Sequence, residues 1–134
     1  MLDQYRKGDL LGGKRESTES AIETLVRETK QEAGIELDDI EYIGEDVWTN
    51  HEKSYRTFAH IFSATTNQEP QNYSEEHTGH VLLPKEYLVS PTSDETVTLF
   101  TPTMRLDVWP STERMLRLWQ QKLFQEAQVQ TQYD

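Results

Sequence analysis

Glu28 and Glu32 stand four residues apart, with Gln31 beside them, a spacing that puts all three on one face of a helix. Two carboxylates on one stripe repel each other. A hard, oxygen-seeking cation such as Mg²⁺ relieves that repulsion, and it typically binds through one or two carboxylates, waters and substrate phosphates. The commoner use of such a pair is a solvated acidic face, so spacing alone leaves both readings open. Arg27 precedes the pair. Its guanidinium stays protonated and cannot act as a base, and an (i, i+4) ion pair with Glu23 is its ordinary use on a helix surface. Farther along, Glu75 and Glu76 precede His77 and His80. The histidines have a metal-like spacing, yet with no cysteine and no assured third ligand they do not define a zinc site.

The elements that must position these groups are readable from caps and periodicity. Ser20 with Glu23 three residues on forms a capping box, and Gly34 stands where a left-handed residue closes a helix. Between them Ile22, Leu25, Val26, Thr29 and Ala33 recur at helical spacing and predict the buried face. Upstream, residues 1–14 offer at most a short strand running into a tight Gly12-Gly13 loop. Ile40–Thr49 and Tyr55–Thr65, rich in aromatic and β-branched residues, predict two strands joined by a turn at Asn50–Ser54. Gly79–Leu83 and Thr96–Thr101 are shorter strand candidates. A second helix is expected after Pro110, capped by Ser111 or Thr112, with Met115, Leu116, Trp119 and Leu123 on one apolar side. The order predicts an α/β (α+β) layered domain around a mixed β-sheet.

The run from Gly13 to Ile35 resembles the signature of the Nudix hydrolases, G-x5-E-x7-R-E-U-x-E-E-x-G-U with U apolar. Gly13, Glu19, Arg27, Glu28, Glu32, Gly34 and Ile35 match it, while Thr29 replaces an apolar residue and Gln31 replaces a glutamate. Gly12-Gly13-Lys14 followed by Glu16 looks like the family's entry loop. The resemblance implies an α/β/α sandwich over residues 1–134 as a single domain. It implies a metal-dependent pyrophosphohydrolase that cleaves a nucleoside diphosphate linked to another moiety, of the nucleotide or nucleotide-sugar class. On that basis Glu28 and Glu32 would bind Mg²⁺ or Mn²⁺, one or the other would be available as the general base, and the Gly12 carbonyl would add an oxygen. Arg27 would orient the site through Glu19. A further carboxylate usually comes from a loop beyond the central strands, and Glu76 stands where that loop should be. Gln31 offers a neutral oxygen in place of a charge, which weakens a cation site and favours an alternative: a degenerate domain that binds a nucleotide or a protein partner without efficient hydrolysis.

With 134 residues the chain predicts one domain, and 34% hydrophobic residues predict a lean core. A net charge of −11 argues against binding a nucleic-acid polymer, which needs Lys and Arg against phosphates, so a small phosphorylated nucleotide would have to arrive with its cations. No apolar run approaches the ~18 residues of a membrane helix, and the first residues carry no secretory segment, so no membrane partner and a cytoplasmic location are expected. The absence of cysteine excludes disulfides and thiol catalysis. Only twelve residues precede Gly13, where the family places about a hairpin of chain. Either those strands lie outside this sequence, or Thr96–Trp109 or a partner subunit covers the open sheet edge, and a homodimer is expected on that ground.

Overall fold

The computed structural model describes residues 7–50, 55–71 and 82–133. Seven elements follow in the order α1 (Ala21–Ala33), β1 (Asp38–Asn50), β2 (Tyr55–Thr65), β3 (Leu88–Ser93), β4 (Thr96–Phe100), β5 (Arg105–Val108) and α2 (Pro110–Tyr133). The α/β (α+β) class predicted from the sequence is the class observed. The strands fall into two antiparallel sheets, β1-β2 and β3-β4-β5, and among the described residues parallel pairing enters through a single bridge between Gly8 and Val108. Gly8, ahead of the Gly12-Gly13 loop, therefore pairs on the outer edge of β5, while Thr96–Trp109 carries β4 and β5 themselves. Among the described residues no helix is long and apolar enough to cross a membrane.

The long hairpin is held by α2. Arg114, Leu118 and Lys122 lie four residues apart and form one stripe along that helix, which meets β1. Arg114 donates to both carboxylate oxygens of Asp46 at 2.9–3.2 Å, the Leu118 methyls face Gly44, and Lys122 pairs with Glu41 at 3.1 Å. The strand needs glycine at 44, because its φ is 155° and a Cβ there would lie 2.9 Å from Leu118 Cδ1. The register slips once between Asp38 and Glu41, where Asp39 has φ 49°, and again between Tyr42 and Gly44. Tyr42 projects to the opposite side and packs edge-on against Phe62 at 5.4 Å.

The core is as lean as the composition predicts. Ala33, Ile35, Ile61, Leu99 and Val108 are the buried apolar residues among those described. Each of the larger ones, Ile35, Ile61, Leu99 and Val108, contributes roughly 1.5–3 kcal/mol. Hydroxyls do the rest in the second sheet: Thr98 is fully buried and donates to Asp107 at 2.8 Å, so Thr92 must supply the proton of the 2.6 Å Thr92–Thr98 bond.

Several expectations are corrected. Ile22 and Val26 are 47% and 43% exposed, so the buried residues of α1 are Thr24, Thr29, Glu32 and Ala33. Periodicity marks an apolar face without showing that anything covers it. α2 starts at Pro110, not after it: proline has no N–H to lose in a first turn, and Thr112 sits buried inside that turn instead of capping it. Leu82 and Leu83 are not in a strand, and residues 79–81 lie outside the described residues. β3 and β5 carry no strand prediction, since β3 is exposed along its whole length and contains Pro91, and β5 spans four residues.

Candidate active site

α1 is defined by its ends. Ser20 accepts from the Glu23 N–H at 3.2 Å, and Glu23 returns the bond to the Ser20 N–H at 3.2 Å. Gly34 closes the helix in the left-handed region at φ 67° and donates to Lys30 O at 2.9 Å. Glu23 is thereby engaged with the cap, and Arg27 turns to Glu19.

Arg27 is the centre of the cluster. Its Nε donates to Glu19 Oε2 at 2.7 Å and its Nη2 to Glu19 Oε1 at 2.9 Å, a bidentate pair whose planar geometry lysine could not reproduce. Nη2 also donates to the Lys14 carbonyl at 3.1 Å, which ties the entry loop to the helix. Nη1 donates to Glu28 Oε1 at 2.8 Å and, more weakly, to Gln31 Oε1 at 3.4 Å. Glu19 accepts further bonds from the Glu16 N–H at 3.0 Å and the Thr24 hydroxyl at 3.3 Å. The hydrogen bond from Arg27, followed by that from the Glu16 backbone, lowers the Glu19 carboxyl from 4.5 to about 2. The same Glu19 bond raises Arg27 above its ordinary value, and the guanidinium is a permanent cation here.

The loop then meets the acid pair. The Gly12 N–H donates to Glu32 Oε2 at 3.5 Å. A Cβ at Gly13 would lie 2.6 Å from Glu28 Oε1, so the missing side chain leaves the space that the Glu28 carboxylate fills. Glu32 is 8% exposed. Gln31 is exposed and lines an open groove of about 380 Å³ with Lys30, Gly34, Glu36 and Gln68 at the far end of α1.

The structure thus brings Gly12, Glu19, Arg27, Glu28 and Glu32 into one cluster. Glu76, Glu75, His77 and His80 lie outside the described residues. Sequence reasoning missed Thr24 and the Lys14 carbonyl, which hold Glu19 and Arg27 in place; neither carries a signal of its own, since one is a backbone group and the other a threonine in the first turn of a helix. The donor set around Glu28, Glu32 and the Gly12 backbone is all oxygen, which suits Mg²⁺ or Mn²⁺ better than a soft ion. Among the described residues no three His, Asp or Glu form a ready-made metal cage. Two carboxylates are nonetheless what Mg²⁺ ordinarily takes from a protein, so the residues fit such an ion.

On the β1-β2 hairpin Trp48 is half-buried and Phe58 is 68% exposed.

A glycine loop is thus pressed against two glutamates of one helix, and an arginine joins one of them, Glu28, to the upstream Glu19. A model of the NUDIX domain matches residues 3–100, and the chain belongs to that family, as a Nudix-type hydrolase domain. No curated protein and no solved structure matches the chain.

Proposed function

We propose that this domain is a metal-dependent pyrophosphohydrolase that cleaves a nucleoside diphosphate linked to another moiety. The reading rests on one observation: the Gly12-Gly13 loop lies directly against Glu28 and Glu32, with Arg27 fixing Glu28 from the side. Glu28, Glu32 and the Gly12 backbone would hold Mg²⁺ or Mn²⁺, joined by Glu76. When bound, the ion polarises the phosphate and neutralises charge on the leaving oxygen. In the reaction a water oxygen bonds to phosphorus, the bridging P–O bond breaks, and the water's proton passes to the carboxylate of Glu28 or Glu32. Arg27 holds Glu28 Oε1, leaving the second oxygen for this work, and Glu19 neutralises Arg27 so that the guanidinium does not compete with the cation. A charge of −11 makes cation-borne delivery of an anionic substrate the natural route. A cytoplasmic setting and a homodimer complete this reading.

The test is release of phosphate products from a panel of nucleotides and nucleotide-sugars with Mg²⁺. Glu28→Gln and Glu32→Gln should each lower turnover about 100-fold or more while the fold persists. Unchanged turnover would remove the assignment. Gln31 favours the second reading, a degenerate domain that binds nucleotide or a protein partner, because it carries an amide in the signature and its oxygen is turned toward Arg27. Gln31→Glu separates the two: a large gain in turnover marks a competent site limited by the amide, and tight nucleotide binding without gain marks a binding module.

A further inference from the structure

We propose that Asp9 is a positioning residue for the acid pair, acting through the strap of chain that joins the start of α2 to the Gly12-Gly13 loop. The proposal rests on the reading of Glu28 and Glu32 as cation ligands.

The strap is anchored at three consecutive residues. Lys7 Nζ donates to Glu95 O at 2.8 Å and lies 3.6 Å above the Trp109 ring. The Gly8 N–H donates to Asp107 O at 2.8 Å, and the backbone there runs so close to β5 that a Cβ would sit 3.0 Å from Leu106 Cδ2. Asp9 Oδ1 accepts from its neighbour's N–H, Leu10, at 2.8 Å and from the Thr112 hydroxyl at 3.2 Å. Thr112 is 2% exposed and belongs to the first turn of α2, where backbone N–H groups favour a carboxylate.

Three residues beyond Asp9 the chain reaches Gly12 and its contact with Glu32, and one more brings Gly13 against Glu28. Three residues span at most about 10 Å, so the Asp9 anchor restricts where the loop can stand. The bond to the Leu10 N–H also sets the direction in which the chain leaves the anchor. Asp9 touches neither Glu28 nor Glu32 through any of these bonds; its effect passes through the backbone it holds. Removing it frees the loop to drift from Glu32 while the acid pair, carried by α1, stays in place.

The measurement is the affinity of the full chain for Mn²⁺ alone, by calorimetry, alongside thermal melting. Asp9→Ala should weaken Mn²⁺ binding about tenfold, in the range seen for groups that orient metal ligands. Asp9→Asn keeps an acceptor oxygen and should restore most of the affinity. Thr112→Val, which removes the hydroxyl at similar volume, should weaken binding in the same direction as Asp9→Ala. A purely structural role would lower the melting temperature and leave the Mn²⁺ dissociation constant unchanged, and that result would overturn the proposal alone. If the unsubstituted chain binds no Mn²⁺, or binds it equally well as Glu32→Gln, the acid-pair reading itself fails and takes this proposal with it.

Discussion

Gly13→Ala isolates the loop's role from the chemistry of the carboxylates. The added Cβ would clash first with Glu28 Cδ and would lie 2.6 Å from its Oε1, where ordinary contact begins near 3.4 Å, so the carboxylate must retreat by about 1 Å. The displaced atoms are the end of a flexible side chain, and φ at Gly13 is not in the left-handed region, so the backbone is unstrained. The cost to the fold should therefore sit at the low end of overpacking, about 1 kcal/mol. The cost to chemistry should be larger. Retreat of Glu28 breaks its 2.8 Å alignment with Arg27 and moves a proposed ligand by nearly 1 Å, a misplacement that can lower turnover about 100-fold, equivalent to about 2.7 kcal/mol in the barrier. Gly12→Ala is the matched control, since nothing lies within 4 Å of a Cβ there. The assay is phosphate release from the nucleotide panel, with Mn²⁺ calorimetry and urea unfolding on the same preparations. Gly13→Ala turning over and binding Mn²⁺ like the unsubstituted chain, or Gly12→Ala proving the more damaged of the two, would refute the reasoning.

Glu19 should give stability a dependence on acid. Its folded value of about 2 lies below the ordinary 4.5, so its contribution is complete above about pH 4.5 and is lost as pH falls from there toward 2. Urea midpoints of Glu19→Gln and the unsubstituted chain should differ at pH 7 and converge across that window; a gap independent of pH would contradict the assignment. Ser20→Ala should cost about 1 kcal/mol by removing one half of the capping box, with Ser20→Asp restoring it, as read by urea unfolding followed by circular dichroism. An effect of Ser20→Ala indistinguishable from zero would mean that α1 is held by its surroundings and not by its cap.

The elements that could be read from the sequence are those whose ends carry their own chemistry. α1 was legible because Ser20, Glu23 and Gly34 stop the helix by local hydrogen bonds that need no partner elsewhere. β1 and β2 were legible because their β-branched and aromatic runs are long. β3 was not, because an exposed strand of Ser, Thr and Pro earns its place through pairing with β4 and carries no apolar alternation. The candidate site was legible as a set of positions, since the Nudix spacing survives in Gly13, Glu19, Arg27, Glu28 and Glu32. What the spacing could not convey is direction: that Gln31 turns its oxygen to Arg27, that Lys14 contributes its carbonyl, and that Asp9 holds the approach to the loop from a helix about a hundred residues away.

The two irregularities in β1 have a joint effect on how that strand is to be aligned with other sequences. Each inserts one extra residue and so exchanges the inward and outward sets; before Gly44 it is odd-numbered Glu41 that meets α2, and after it even-numbered Asp46. Each absorbs one extra residue of β1, and the two together account for a thirteen-residue strand running in step with an eleven-residue partner at both ends. Deleting the extra residue at either position would remove that bulge and leave the pairing with β2, and the faces on both sides of it, unchanged, so variants of this strand that differ in length at these two positions keep the same ribbon with less bend.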